Sequence, residues 1–230
     1  MKTAIVLIGI LIFTIMHEFG HMKAAQKCGI KVNEFAVGFG KEIIQKEKNG
    51  VKYSLRLFPL GGFCAFDDKS YDDTSSIKQI ITLLAGPFMN ILSGYLMLAV
   101  VSFKPLECLI VVKECFIGVW GSVIDLLFSS NVGLSDISGM GGVAVTIGGF
   151  MTSFRYGIAL MALLSLILGI GNLIPIPGLD GGKIVGSLYE LITRRKISKR
   201  VHVIVNIFAI VFIAFIALAG LISDIRFFMG

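Results

Sequence analysis

The chain is short of charge. Of 230 residues only 16% are Asp, Glu, Lys or Arg, whereas 55% are hydrophobic and the mean hydropathy is +0.86. A soluble domain carries roughly a quarter charged residues, so this chain cannot cover a water-facing surface and reads as a membrane protein. Cysteine is scarce and unpatterned. Cys28, Cys64, Cys108 and Cys115 form no CxxC or zinc-ribbon spacing, which argues against a disulfide framework or a cysteine metal site. Cys108 and Cys115 stand about two helical turns apart, too far to bridge within a helix. No repeat recurs at solenoid or propeller periods, and the chain is too apolar for disorder. The net charge of +6 comes from 21 basic and 15 acidic residues. The cations form no aromatic-interleaved stripe, so nucleic acid is not indicated as a partner.

What the chain does have is long apolar runs. A bilayer core needs about 20 apolar residues per helix, and four segments supply them: about 3–25, 80–103, 156–174 and 203–222. From Ala4 to Met16 only Thr14 is polar. The Met1-Lys2 start also resembles a signal peptide, but no Ala-x-Ala site follows and the run continues into His17 and Glu18. Between Lys23 and Lys78 there are ten cations, between Lys183 and Arg200 six, and five elsewhere. The positive-inside rule therefore puts both basic segments in the cytosol and both termini outside. The basic bias is topogenic, and suits anionic lipid.

The stretch 109–128 carries Lys113, Glu114 and Asp125. Leu109, Val112, Phe116, Val119, Val123 and Leu127 recur at helical spacing and make one apolar face. An amphipathic helix on the outer leaflet is predicted there rather than a fifth span.

His17-Glu18-Phe19-Gly20-His21 is an HExxH sequence. At positions i and i+4 of a helix, His17 and His21 share a face and can reach one zinc, with Glu18 beside it to take a proton from water. Two His and a Glu inside one membrane span are expensive to bury and default to a functional role. A third protein ligand is still needed. His202, the remaining histidine, heads the fourth span after a basic run, and no metal role is expected of it. Asp180 is the better candidate, because Pro175, Pro177 and Gly178 just before it must break the third span. Irregular backbone at membrane depth is tolerated where it is buried in protein or lines a wet cavity, and a carboxylate there can turn toward a metal. Alone, the break would read equally well as a span-to-loop turn with a solvated Asp. Depth agrees: both halves of the site fall toward the cytosolic side.

HEFGH in the first span and Asn172-Leu173-Ile174-Pro175-Ile176-Pro177-Gly178-Leu179-Asp180-Gly181-Gly182 after the third resemble the bacterial site-2 proteases, intramembrane zinc metalloproteases. Val37-Gly38-Phe39-Gly40, Arg56-Leu57-Phe58-Pro59-Leu60-Gly61-Gly62-Phe63 and Ala85-Gly86-Pro87-Phe88-Met89-Asn90 resemble the RseP-type branch in order and spacing. The resemblance implies one Zn2+ held by His17, His21 and Asp180, Glu18 as general base, and Asn172 as a polar group that helps hold substrate. It also implies substrates that are single-span membrane proteins, such as membrane-tethered regulators or remnant signal peptides. One departure is clear. RseP-type members carry PDZ domains between the second and third spans, and the roughly 50 residues between Lys104 and Arg155 are too few for one.

Residues 32–66 are predicted as a small cytosolic β region. Val51 to Phe58 alternates polar and apolar residues, and Phe63 to Phe66 follows a Pro-Leu-Gly-Gly turn, the pattern of a β-hairpin. The resemblance sharpens this to a sheet dipping toward the membrane, whose edge at Gly61, Gly62 and Phe63 would pair with an unwound substrate. Asp67, Asp68, Asp72 and Asp73 read as a solvated loop. Asn90 defaults to a hydrogen bond between helices, with substrate contact as its other role.

The expected fold is thus an all-α polytopic membrane protein of about four spans, one intramembrane metalloprotease domain over 1–230, with a small membrane-associated sheet and an outer amphipathic helix. A metal transporter would instead spread polar groups over several spans at matching depths, and the fourth span has almost none beyond Asn206. An inactive binding homologue would normally have lost a ligand or Glu18, and all four residues are present.

Overall fold

The computed structural model describes residues 2–102, 104–128 and 153–198 continuously, with Val145, Gly149 and part of the positions from 200 to 225. Helix α1 spans Lys2–Cys28, and the chain then stops at Gly29, whose φ of 81° leaves the helical region while Ile30 N–H still reaches back to the Ala25 carbonyl. Helix α3 (Ser76–Ser102) and helix α5 (Phe154–Gly171) follow the short α2 (Asp68–Asp72) and α4 (Pro105–Phe128). Helix α6 covers Asp180–Thr193. Among the described residues α1, α3 and α5 are long and apolar enough to cross a membrane. They coincide with the first three predicted spans. Of the fourth, 203–222, the described positions are helical, while His202, Asn206 and several others lie outside the described residues.

Helix α3 is the hub, packed against α1, α4, α5 and α6. Glycine lets it close on α5. A Cβ on Gly94 would come within 2.8 Å of the Ala162 carbonyl, and one on Gly169 within 2.8 Å of the Pro87 carbonyl. Where lipid tails are as apolar as leucine, such close backbone approach is what holds helices together. Asn90 lies in this seam, 1% exposed, its carbonyl accepting hydroxyl hydrogen bonds from Ser93 and Ser165.

Helix α4 starts one turn earlier than predicted, with Pro105 at the first helical position, where its missing N–H costs nothing. Cys108, Val111, Val112, Cys115 and Val119 pack on Leu98, Ala162 and Leu166, so Val112 and Val119 of the predicted apolar stripe meet the bundle, while Leu109 and Phe116 of the same stripe are 54% and 45% exposed.

Strands β1 (Val32–Lys48) and β2 (Val51–Phe66) pair antiparallel around an Asn49-Gly50 turn with φ of 53° and 74°. Asn-Gly is a favoured sequence for such a two-residue turn. Both strands are long enough to double back. Glu34 to Val37 pair on one side with Lys52 to Leu55, where the paired numbers rise together, and on the other with Ala65 to Gly62, where they run opposed. The chain direction therefore reverses between Leu55 and Gly62, around the predicted Pro-Leu-Gly-Gly turn. The base of the sheet packs through Ile30, Val32, Phe35 and Val51 on Met22 and Ala25 of α1. Its tip presents Phe39, Ile43, Ile44, Leu57 and Phe58, each about half exposed.

Candidate active site

Helix α1 carries His17 and His21 one turn apart on its inward face, 6% and 5% exposed. The third component arrives from far along the chain. After α5 the backbone folds back on itself: Leu173 N–H reaches Ile170, Ile174 N–H reaches Gly171, and Gly181 N–H closes the loop on the Asn172 carbonyl at 2.7 Å. Gly178 turns through φ 97°. Gly181 and Gly182 sit hard against the Leu173, Ile174 and Ile176 carbonyls, where a side chain would collide. That tight loop starts α6 at Asp180 and aims its carboxylate at α1.

The result is a compact donor set. Asp180 Oδ2 lies 2.8 Å from His17 Nε2 and 3.1 Å from His21 Nε2, and the two Nε2 atoms are 3.1 Å apart. His21 Nδ1–H donates to the Thr82 carbonyl at 2.8 Å, which leaves its Nε2 as a lone pair. A lone pair facing a carboxylate oxygen and a second imidazole nitrogen is repulsive unless a cation lies between them. Two imidazoles and one carboxylate, with a histidine oriented by a backbone carbonyl, is the ligand chemistry zinc takes in catalytic sites. The three ligand atoms lie within 4.8 Å of one another and could hold a metal ion.

A cavity of about 240 Å3 opens beside this cluster. Glu18, expected as the general base, and Asn172, Gly62 and Phe63, expected to face substrate, line it. Asn172 caps α5, its Nδ2 donating to the Leu168 carbonyl at 2.9 Å. Gly61 and Asn90 do not line it: Gly61 packs against the Phe39 ring, and Asn90 is in the α3–α5 seam with its Oδ1 unpartnered among the described residues. The strand wall is braced from behind. The Arg56 guanidinium lies 5.1 Å over the Phe63 ring and donates to Glu34 at 2.7 Å and Glu42 at 3.0 Å. Burial works against the charge on Glu34, but the hydrogen bonds from Arg56 and Ser54 outweigh it and hold its carboxyl below the usual range.

Five residues at the site, Leu83 of α3 among them, were not singled out from the sequence as site residues. Cys64 and Phe66 line the cavity from β2, and Lys183 lines it from α6. Gly86 of α3 has its Cα against both histidine rings, so that a Cβ there would be 2.8 Å from His17 Nε2. Alternation along Phe63 to Phe66 was a usable signal for the first two. Gly86 belongs to the Ala85–Asn90 motif, which did not reveal what the glycine faces, and nothing local marks Lys183.

The model of peptidase family M50 matches residues 4–216 of this chain. The chain belongs to peptidase family M50. Family M50 is the site-2 type of membrane metalloprotease, and the HExxH and Asp180 motifs lie inside the matched segment. A Campylobacter jejuni protein carrying a zinc-metalloprotease name, Cj1068, is 25% identical, with 85% of each chain covered. The regulator of sigma E protease of Haemophilus influenzae is 34% identical over 36% of this chain and 22% of its own length. The chloroplastic membrane metalloprotease ARASP of Arabidopsis thaliana is 37% identical over 46% of this chain and 26% of its own. The chain thus spans about a quarter of the length of the last two. Donor chemistry and relatives agree on zinc as the cofactor.

Proposed function

We propose that this M50 member hydrolyses peptide bonds within or near the transmembrane segments of single-span membrane proteins. His17, His21 and Asp180 would hold the zinc. The bound ion supplies Lewis acidity, lowering the pKa of water toward neutrality and polarising a carbonyl. Glu18, next to His17 on the cavity wall, takes the proton from the attacking water on its carboxylate and passes it to the leaving amine. The second half of β2, paired with β1 on one side only among the described residues, offers its other edge along the cavity. A substrate helix keeps its carbonyls in its own ladder, and edge pairing at Gly62 to Phe66 would hold the unwound segment extended beside Glu18. The Asn172 amide can meet the same segment from across the cavity.

The orientation follows from charge. With the ten-cation and six-cation segments in the cytosol, α1 runs inward and the site lies toward the cytosolic side of the membrane, so that the product is released there. Helix α4, charged at Glu107, Lys113, Glu114 and Asp125 and apolar on its exposed side at Leu106, Ile110 and Ile117, would lie along the outer leaflet. The observation that carries this proposal is the convergence of His17, His21 and Asp180 beside a cavity that also contains Glu18.

The test is cleavage of a model transmembrane substrate by the purified protein in detergent, beside Glu18→Gln, with zinc counted in both. Cleavage by the wild type alone, with about one zinc in each, supports the proposal. A folded protein that binds no metal would sink it.

A further inference from the structure

Lys183 is the one Lys or Arg among the described residues that lines the cavity. The sequence groups it with the basic segment that orients the chain, yet it stands apart from that segment's main run. It sits in the first turn of α6, three residues after Asp180, while Arg194 to Arg200 follow the other end of the helix. The partial positive charge of a helix N-terminus disfavours a cation there. No side-chain hydrogen bond or ion pair among the described residues offsets it. Its charge instead reaches Glu18, and Glu18 and Lys183 both act on the Cys64 thiol of the cavity strand. Burial is the main reason that thiol is pushed up to about 12, Glu18 adds to it and Lys183 opposes it. Lys183, Glu18 and the strand residues Gly62, Phe63, Cys64 and Phe66 thus line one cavity.

Zinc held by His17, His21 and Asp180 would be engaged with the water and the scissile carbonyl, so among the described residues Lys183 is the side-chain cation of the lining left to meet an acidic residue of the substrate. An exposed ammonium on a flexible stem remains hydrated until a carboxylate takes the place of its water. In a cleft emptied of solvent by bound peptide, that pair is far stronger than on a surface.

We propose that Lys183 is a specificity determinant of the protease, receiving an Asp or Glu of the substrate a few residues from the cleaved bond. The proposal rests on the protease reading above and names the substrate class that site prefers: transmembrane segments with a carboxylate close to the cleavage position.

The test uses the whole zinc-loaded protein in detergent and model transmembrane peptides identical except for one residue. That residue is Glu, Gln or Lys, moved one position at a time on either side of the cleaved bond. At one position the wild type should cut the Glu peptide about tenfold or more faster than the Gln peptide in kcat/KM, the size of one charge-assisted contact. In Lys183→Met that ratio should fall toward one, and in Lys183→Glu the Lys peptide should be preferred, each with the wild-type zinc content. A Glu-to-Gln ratio unchanged in Lys183→Met, whatever its absolute rate, overturns the proposal. Photocrosslinking of the same peptides to Glu18→Gln and to Glu18→Gln/Lys183→Met reads the preference without turnover. If the wild type cleaves nothing but Glu18→Gln still captures the Glu peptide in preference, the protease reading fails and the subsite stands. If capture shows no preference, the subsite fails.

Discussion

Replacing Gly86 by alanine should cost this protein its zinc far more than its fold. A methyl group there would lie 2.6 Å from His21 Cε1 and 2.8 Å from His17 Nε2, and closer still to His21 Nε2, whereas ordinary contact begins at 3.4 Å. The rings must therefore retreat by about 0.6 Å or more, against a tolerance of about 0.2 Å for metal–ligand distances. Neither ring has an easy way out. Both are buried, and His21 is tied to the Thr82 carbonyl at 2.8 Å. Parting the helices would give up the close approach of Gly20 of α1 to the Ala85 backbone, one residue from Gly86. For the fold, overpacking costs about 1–3 kcal/mol, and exchanging Gly for Ala within a helix returns about 1 kcal/mol. The net is about 0–2 kcal/mol, which a folded protein survives. Zinc affinity should fall at least tenfold to hundredfold, the range seen when groups supporting a ligand are disturbed. The assay is zinc content after dialysis against graded chelator, beside a thermal melt. Gly118→Ala is the control, because a Cβ there meets nothing within 4 Å. It should retain zinc and melt at or slightly above the wild-type temperature. A Gly86→Ala protein that holds zinc as tightly as the control would refute the reasoning.

Other substitutions separate the roles at the site. Glu18→Gln should keep its zinc and lose about 100-fold to 10,000-fold in kcat, the usual contribution of a proton-transfer group; zinc loss in this variant would instead make Glu18 a ligand. Asp180→Asn should release zinc at chelator concentrations the wild type withstands, and chelation should lower the melting temperature of the wild type but hardly that of the variant. For pH, Glu34 has its folded pKa depressed, so its pair with Arg56 stabilises the sheet above the ordinary value of 4.5 and that stability is lost as pH falls below it. The melting-temperature gap between the wild type and Glu34→Gln should accordingly be open at pH 6 and close as pH drops toward 3; a gap that is constant across this range would show that the pair contributes nothing.

Spans and motifs were legible in the sequence because both are local. The α1, α3 and α5 runs announce themselves by apolar length, and HExxH works because one helical turn puts His17 over His21. Asp180 was legible for a different reason: Pro175, Pro177 and Gly178 break the third span just before it, and the HExxH sequence, one ligand short, singles out the carboxylate that follows the break. Which residues of α4 meet the bundle was not legible: where Leu109, Ile110, Val111 and Val112 are all apolar, hydropathy does not separate a bundle-facing residue from a lipid-facing one.

Gly86 and Lys183 show the deeper limit. Gly86 lies in a motif that does not say what it faces, Lys183 has no local pattern, and each acquires its meaning from a partner 65 or more residues away along the chain, Gly86 from His21 and Lys183 from Glu18. In a soluble protein the cost of burying charge would restrict where such partners could lie. Here the bilayer makes every wrong placement of Glu18, His17 or Asp180 expensive, so these groups are driven into one cavity, and the residues that shape that cavity are chosen by fit. A glycine fits because the histidine rings leave no room for a side chain. A lysine fits because it brings to the lining a side-chain cation that is not a metal ligand and can meet an acidic residue of the peptide. That is why mutations at Gly86 should read out through metal affinity and mutations at Lys183 through substrate choice, although the two residues border the same small space.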